Sequence, residues 1–120
     1  MSSFRRGTRP LAALVAVAAT ASAAAPTLTD AQAKKFFNDN GCNACHGADE
    51  FRIGPSYRAV ALRYADASSE TVDWLAAKVV NGGAGSWGVV PMIGNPAIAR
   101  EDARAIARWI LQLSDSSAPR

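Results

Sequence analysis

Residues 40–49 read NGCNACHGAD and carry both cysteines of the chain, Cys42 and Cys45, together with its single histidine, His46. No other feature constrains the fold as tightly. Scattered at random, two cysteines and one histidine would fall into C-x-x-C-H order in roughly one arrangement in 7,000, and that order is the attachment signature of a c-type haem. Three other chemistries use paired cysteines. A disulfide oxidoreductase sets Cys-x-x-Cys at a strand-to-helix junction within a βαβ unit. A structural zinc site takes four ligands, and the chain has no second Cys/His pair. A disulfide across two residues closes too short a loop to gain much. The spacing favours a covalent haem c, attached through Cys42 and Cys45, with His46 on its iron.

The N-terminus has the order of an export signal. Arg5, Arg6 and Arg9 precede an apolar run over residues 11–20, and small residues at 21–25 offer A-x-A cleavage sites after Ala23 or Ala25. The run is short for a membrane span. The reading is a cleaved signal over 1–25, a domain over 26–113, and a disordered tail over 114–120. The mature protein is then periplasmic, without stable membrane insertion. Cleavage also changes the charge. The whole chain carries +3, but beyond residue 25 ten basic residues face ten acidic ones. A formally neutral protein gives no electrostatic reason to bind nucleic acid.

Past the signal, the chain reads as helices punctuated by glycine. Thr29 and Gln32 are spaced as a capping box that opens a helix running to about Asn40, with Gly41 as its left-handed stop. A short helix is predicted from Tyr57 to about Tyr64. Ser69 caps a third, with Val72, Leu75, Ala76 and Val79 along its apolar face. A last helix covers about Arg100 to Leu113, with a stripe of Ala103, Ile106, Ala107, Ile110 and Leu113. Between the last two, AGSWGVVPMIGNP is too rich in glycine and proline for an extended regular element. The fold class is all-α, with about four helices around one covalently attached group.

A haem iron held by His46 has a second face. Bis-histidine ligation is impossible within one chain, because His46 is the only histidine. Met1 departs with the signal, which leaves Met92 as the one thioether. Methionine most often fills a core. Met92 instead sits in the irregular loop, after Pro91, and His/Met is the pairing suited to electron transfer.

With these segments in view, the chain resembles the small class I monohaem cytochromes c of bacteria, the short electron-carrier type. GCNACH, IGPSY, LAAKVVNGG, SWGVVPM and ARWIL match in order and spacing, and the likeness covers 28–113. It implies the class I cytochrome c fold and several roles. Pro55 is the proline whose carbonyl accepts a hydrogen bond from the axial histidine. Trp87 is the tryptophan whose indole N–H meets a haem propionate. Lys78 stands where an arginine often pairs with a propionate, and a lysine pairs there with less geometric definition. Asn95 is the asparagine near the methionine sulfur. Phe37 and Trp109 are the aromatic pair where the first and last helices cross. The chain also departs from the family. Val89, Ile93 and Gly94 replace prolines around the ligand, which leaves the loop less restrained. Ala99 stands where Ser or Asp would cap the last helix.

The resemblance implies a periplasmic monomer that passes single electrons between redox protein partners and is not an enzyme. Ala44, Val89, Val90 and Ile93 are candidates for an apolar docking patch around the haem edge. The rival functions are a cytochrome subunit of a dehydrogenase, and a haem-based sensor or peroxidase with a displaceable methionine. Co-purification with a larger protein distinguishes the first, and carbon monoxide binding at neutral pH the second.

Overall fold

The computed structural model describes residues 27–115, with a few scattered positions before residue 20. The predicted cleavage region, 21–25, and residues 116–120 of the tail lie outside the described residues. Among the described residues four α-helices occur in order: α1 Asp30–Asp39, α2 Tyr57–Arg63, α3 Ser69–Asn81 and α4 Arg100–Leu111. None among the described residues is long and apolar enough to cross a membrane.

The ends of the helices follow from their residues. Thr29 and Gln32 form the reciprocal capping box, with Gln32 N–H donating to Thr29 Oγ1 at 3.2 Å and Thr29 N–H to Gln32 Oε1 at 2.8 Å. The chain leaves α1 through Asn40 and Gly41, the latter at φ +70°. Ser56 caps α2 through Ala59 N–H. The α3 cap is Ser68, not Ser69: its Oγ accepts from Thr71 N–H, and Ser69 is already helical. Either serine has the chemistry, and only the extended backbone at Ser68 distinguishes them. Ala99 gives α4 no side-chain cap. Glu101 and Asp102 in the first turn complement the helix dipole instead. The last helix ends two residues earlier than its apolar pattern predicts, and the chain tightens into a 3-10 turn over Gln112–Ser114.

The central core joins α1, α2 and α4 through Ala33, Phe37, Tyr57, Ala61, Ile106, Trp109 and Leu113. Phe37 stacks on Tyr57, with ring centroids 4.1 Å apart, and meets Trp109 edge-on at 5.6 Å. Trp109 Nε1–H reaches Asp30 Oδ1 across the helix crossing. Ile106, 1% exposed, is worth about 1.5–3 kcal/mol by burial. Behind this, α3 packs on α4 through Val72, Ala107 and Leu111, and through Ala76, Ile98 and Ala103. An ion pair between Arg104 and Asp73 ties the same two helices.

The loop between α3 and α4 holds an element that composition did not announce. Gly82–Gly83 (β1) pairs antiparallel with Met92–Ile93 (β2), Gly82 opposite Ile93 and Gly83 opposite Met92. The ladder is possible because the backbones touch. A Cβ on Gly82 would stand 2.3 Å from the Met92 carbonyl oxygen, and one on Gly94 would stand 2.4 Å from the carbonyl carbon of Asn81. Gly94, which departs from the family's proline, is therefore demanded by this crossing.

Candidate functional site

The attachment segment is a single turn. Cys42–Ala44 forms a 3-10 helix, and the amides of Cys45 and His46 both donate to the Cys42 carbonyl, at 3.1 and 3.0 Å. Residues three and four apart on such a turn share a face, so Cys42, Cys45 and His46 are grouped by local structure alone. Neither cysteine is in a disulfide, and both are half-buried. Burial pushes the Cys42 thiol above its ordinary range. Among the described residues no three His, Cys, Asp or Glu side chains converge as metal ligands.

The loop after His46 folds back over it. Gly54 N–H donates to the Cys45 carbonyl at 2.8 Å, Tyr57 N–H to Gly47 at 2.9 Å, and Arg58 N–H to Ala48 at 3.1 Å. These bonds deliver Pro55 to the imidazole. His46 Nδ1 lies 2.7 Å from the Pro55 carbonyl oxygen, the contact the resemblance implied. A carbonyl only accepts, so Nδ1 carries a proton, and in the neutral ring Nε2 keeps its lone pair. Gly54 lies flat against the ring: a Cβ there would be 2.7 Å from His46 Cε1. On another side the ring stacks over Tyr57 at 5.6 Å. Tyr57 Oη–H donates to Asn43 Oδ1, and Asn43 also accepts from Arg52 at its backbone carbonyl. Burial holds the Tyr57 hydroxyl far above its usual range. Arg52 also donates to Glu50 and keeps that carboxyl below its ordinary range. Gly54 and Tyr57 fix the imidazole as much as Pro55 does, yet sequence reasoning singled out neither. The signal for both was their place in IGPSY.

The second wall is built differently. Met92 sits on β2, 37% exposed, opposite Gly83. Lys78 Nζ would be 2.9 Å from a Cβ on Gly83, and it also lies 5.0 Å from the Trp74 ring centroid. Lys78 is therefore next to the ladder, held over an aromatic face. Trp74 in turn contacts Tyr64 at 5.4 Å, and Tyr64 meets Trp87 edge-on at 6.5 Å. The Trp87 indole N–H has no hydrogen-bond partner among the described residues. Asn95 is engaged within the fold: Nδ2–H donates to Asn40 Oδ1 at 3.4 Å, and Oδ1 accepts from Ala97 N–H at 3.1 Å. Arg63 and Trp74, which sequence reasoning passed over, join this wall through ring contacts. Arg63 is far from Trp87 in sequence and gave no signal, whereas Trp74 and Lys78 lie four apart on α3, a spacing that could have found the pair.

Two thiols, an imidazole with a free Nε2 and a half-exposed thioether fit a haem iron and its vinyl groups. The protein also leaves apolar surface uncovered at Phe51, Ile53, Trp87, Val90 and Ile93, which suits a flat apolar macrocycle. The cytochrome c family model matches residues 21–114. The chain belongs to the cytochrome c family. It is 37% identical over 78 residues to cytochrome c-551 of Azotobacter vinelandii, covering 65% of this chain and 93% of that one. Cytochrome c-551 of Allochromatium vinosum is 43% identical over 75 residues, covering 62% and 78%. The crystal structure of Nitrosomonas europaea cytochrome c552 superposes with a TM-score of 0.63 at 36% identity, covering 68% of this chain and 99% of that one. The class 1 cytochrome MtoD of Sideroxydans lithotrophicus does so with a TM-score of 0.55 at 28% identity, covering 68% and 91%. This cytochrome has the class I monohaem fold, four helices with little strand. It carries haem c, with its iron, attached through Cys42 and Cys45, and it is an electron-transport protein.

Proposed function

We propose that this cytochrome is a periplasmic one-electron carrier whose iron is held between His46 and Met92. One observation carries the reading: the imidazole with its free Nε2 and the loop thioether both sit on segments fixed by backbone hydrogen bonds. When bound, the haem supplies the one-electron iron couple. The Pro55 carbonyl fixes the His46 ring and strengthens its Nε2 as a donor. Met92 adds a soft, neutral ligand that favours ferrous iron and raises the reduction potential. With both ligands in place, His46 and Met92 exclude water and small oxidants from the metal. Cys42 and Cys45 prevent loss of the group outside the cytoplasm. Lys78 and the Trp87 N–H are the proposed propionate partners, and Asn95 braces the far end of the methionine segment.

Ala44, Val89, Val90 and Ile93 are all exposed. They form the proposed apolar docking patch for donor and acceptor proteins. The periplasmic assignment rests on the order of charge, apolar run and small residues in 1–25. The test is the far-red absorption of the oxidised, haem-matured protein at neutral pH. A sulfur-to-iron charge-transfer band is expected in the wild type and absent in Met92→Ala. A wild type without the band overturns the ligation.

A further inference from the structure

We propose that Arg63 is a positioning residue for Met92: from the last turn of α2 it clamps the loop 84–91 that delivers the methionine. The inference deepens the His46/Met92 reading and rests on it.

The loop has little to hold it. Its own hydrogen bond runs from Gly85 N–H to the Gly88 carbonyl at 2.9 Å. Prolines that would stiffen the region are replaced by Val89, Ile93 and Gly94. Val89 is 92% exposed and contributes no packing. Among the described residues, one hydrogen bond joins 84–91 to the helical body, and Arg63 makes it. Arg63 Nη1–H donates to the Ser86 carbonyl at 2.5 Å. The same guanidinium lies 4.5 Å from the Trp87 ring centroid and 5.7 Å from that of Tyr64. Arg63 has no carboxylate partner among the described residues, whereas Arg52, Arg58, Arg104 and Arg108 all do. Its charge is therefore committed to the loop. A planar guanidinium can stack on an indole with its face while donating from its edge, a geometry that an ammonium does not reproduce. The restraint that prolines would place inside the loop is supplied here from α2.

The test uses the haem-matured full chain with Arg63→Gln and Arg63→Lys, and Lys35→Gln as a control for lost surface charge. Amide hydrogen exchange of the ferrous protein is followed at Gly85 in the loop and at Ala107 in the core. Losing a charged hydrogen bond and a cation–π contact is expected to speed exchange at Gly85 about tenfold in Arg63→Gln. Arg63→Lys should recover only part of this, and Ala107 should be unchanged. The pH at which the ferric protein loses its far-red band should fall by about one unit, the equivalent of tenfold. Unchanged exchange at Gly85 in both variants overturns the clamp. Equal acceleration at Ala107 overturns it too, since Arg63 would then be a general stabiliser. Faster exchange at Gly85 with an unmoved band overturns the positioning of Met92. If the wild type has no band, the ligation reading fails and the link to Met92 falls with it, while exchange at Gly85 still decides the clamp.

Discussion

The segments that carry His46 and Met92 are held in opposite ways. The histidine side, 42–57, is a closed web: a helical turn, a loop returned by three backbone bonds, and an imidazole fixed by Pro55, Gly54 and Tyr57. The methionine side, 82–95, is a two-residue ladder joined to an exposed glycine loop that touches the helices through Arg63 and two rings. The ladder fixes Met92 along the chain, but the loop leading to it is held to the helical body by one hydrogen bond and by the contacts of the Trp87 ring with Arg63 and Tyr64. Under the proposed ligation the methionine side opens first, because local opening costs least where backbone bonds and buried contacts are fewest.

Breaking the histidine side should have the larger effect on the haem spectrum. Gly54→Ala places a methyl against the imidazole and forces the ring or the loop to move. A loss of about 1–3 kcal/mol is expected, with a shifted haem spectrum, measured by thermal unfolding and visible absorption. A variant with wild-type stability and spectrum would mean that Gly54 does not set the ring. On the methionine side, Gly94→Ala meets backbone at Asn81 and Gly82 rather than a ring. It should cost about 1–3 kcal/mol of overpacking and weaken the far-red band. A loss smaller than that of Gly54→Ala would sharpen the contrast, because the ladder can part where the web cannot.

Tyr57→Phe tests a single strand of the web. Removing the hydroxyl loses the bond to Asn43, worth about 1 kcal/mol at neutral pH. The sign reverses in alkali. The folded-state pKa of Tyr57 is raised, so its contribution is complete below the unfolded value of 10.0 and is lost as pH rises beyond it. The wild type should lose stability above pH 10 more steeply than the phenylalanine variant, in denaturant titrations at stepped pH. Parallel curves would show that the hydroxyl is not sheltered.

Much of this was legible without coordinates wherever a short-range rule governed. The capping box at Thr29, the Gly41 stop, the stripe on α4 and the missing cap at Ala99 all follow from neighbours within one turn. The α3 cap fell one residue away because Ser68 and Ser69 are chemically alike, and only backbone dihedrals separate them. The ladder between Gly82–Gly83 and Met92–Ile93 left no periodic trace, since two residues are too few to alternate.

The same division runs through the site. C-x-x-C-H determined the cofactor by itself, because a single helical turn brings two thiols and an imidazole to one face whatever the rest of the chain does. The Trp74 cover on Lys78 is an i, i+4 pair within α3. The tautomer of His46, the bond from Asn95 to Asn40 and the reach of Arg63 to Ser86 and Trp87 were decided by tertiary structure. Each joins groups outside one another's helical turn, where spacing carries no information and only the folded path of the backbone brings donor to acceptor.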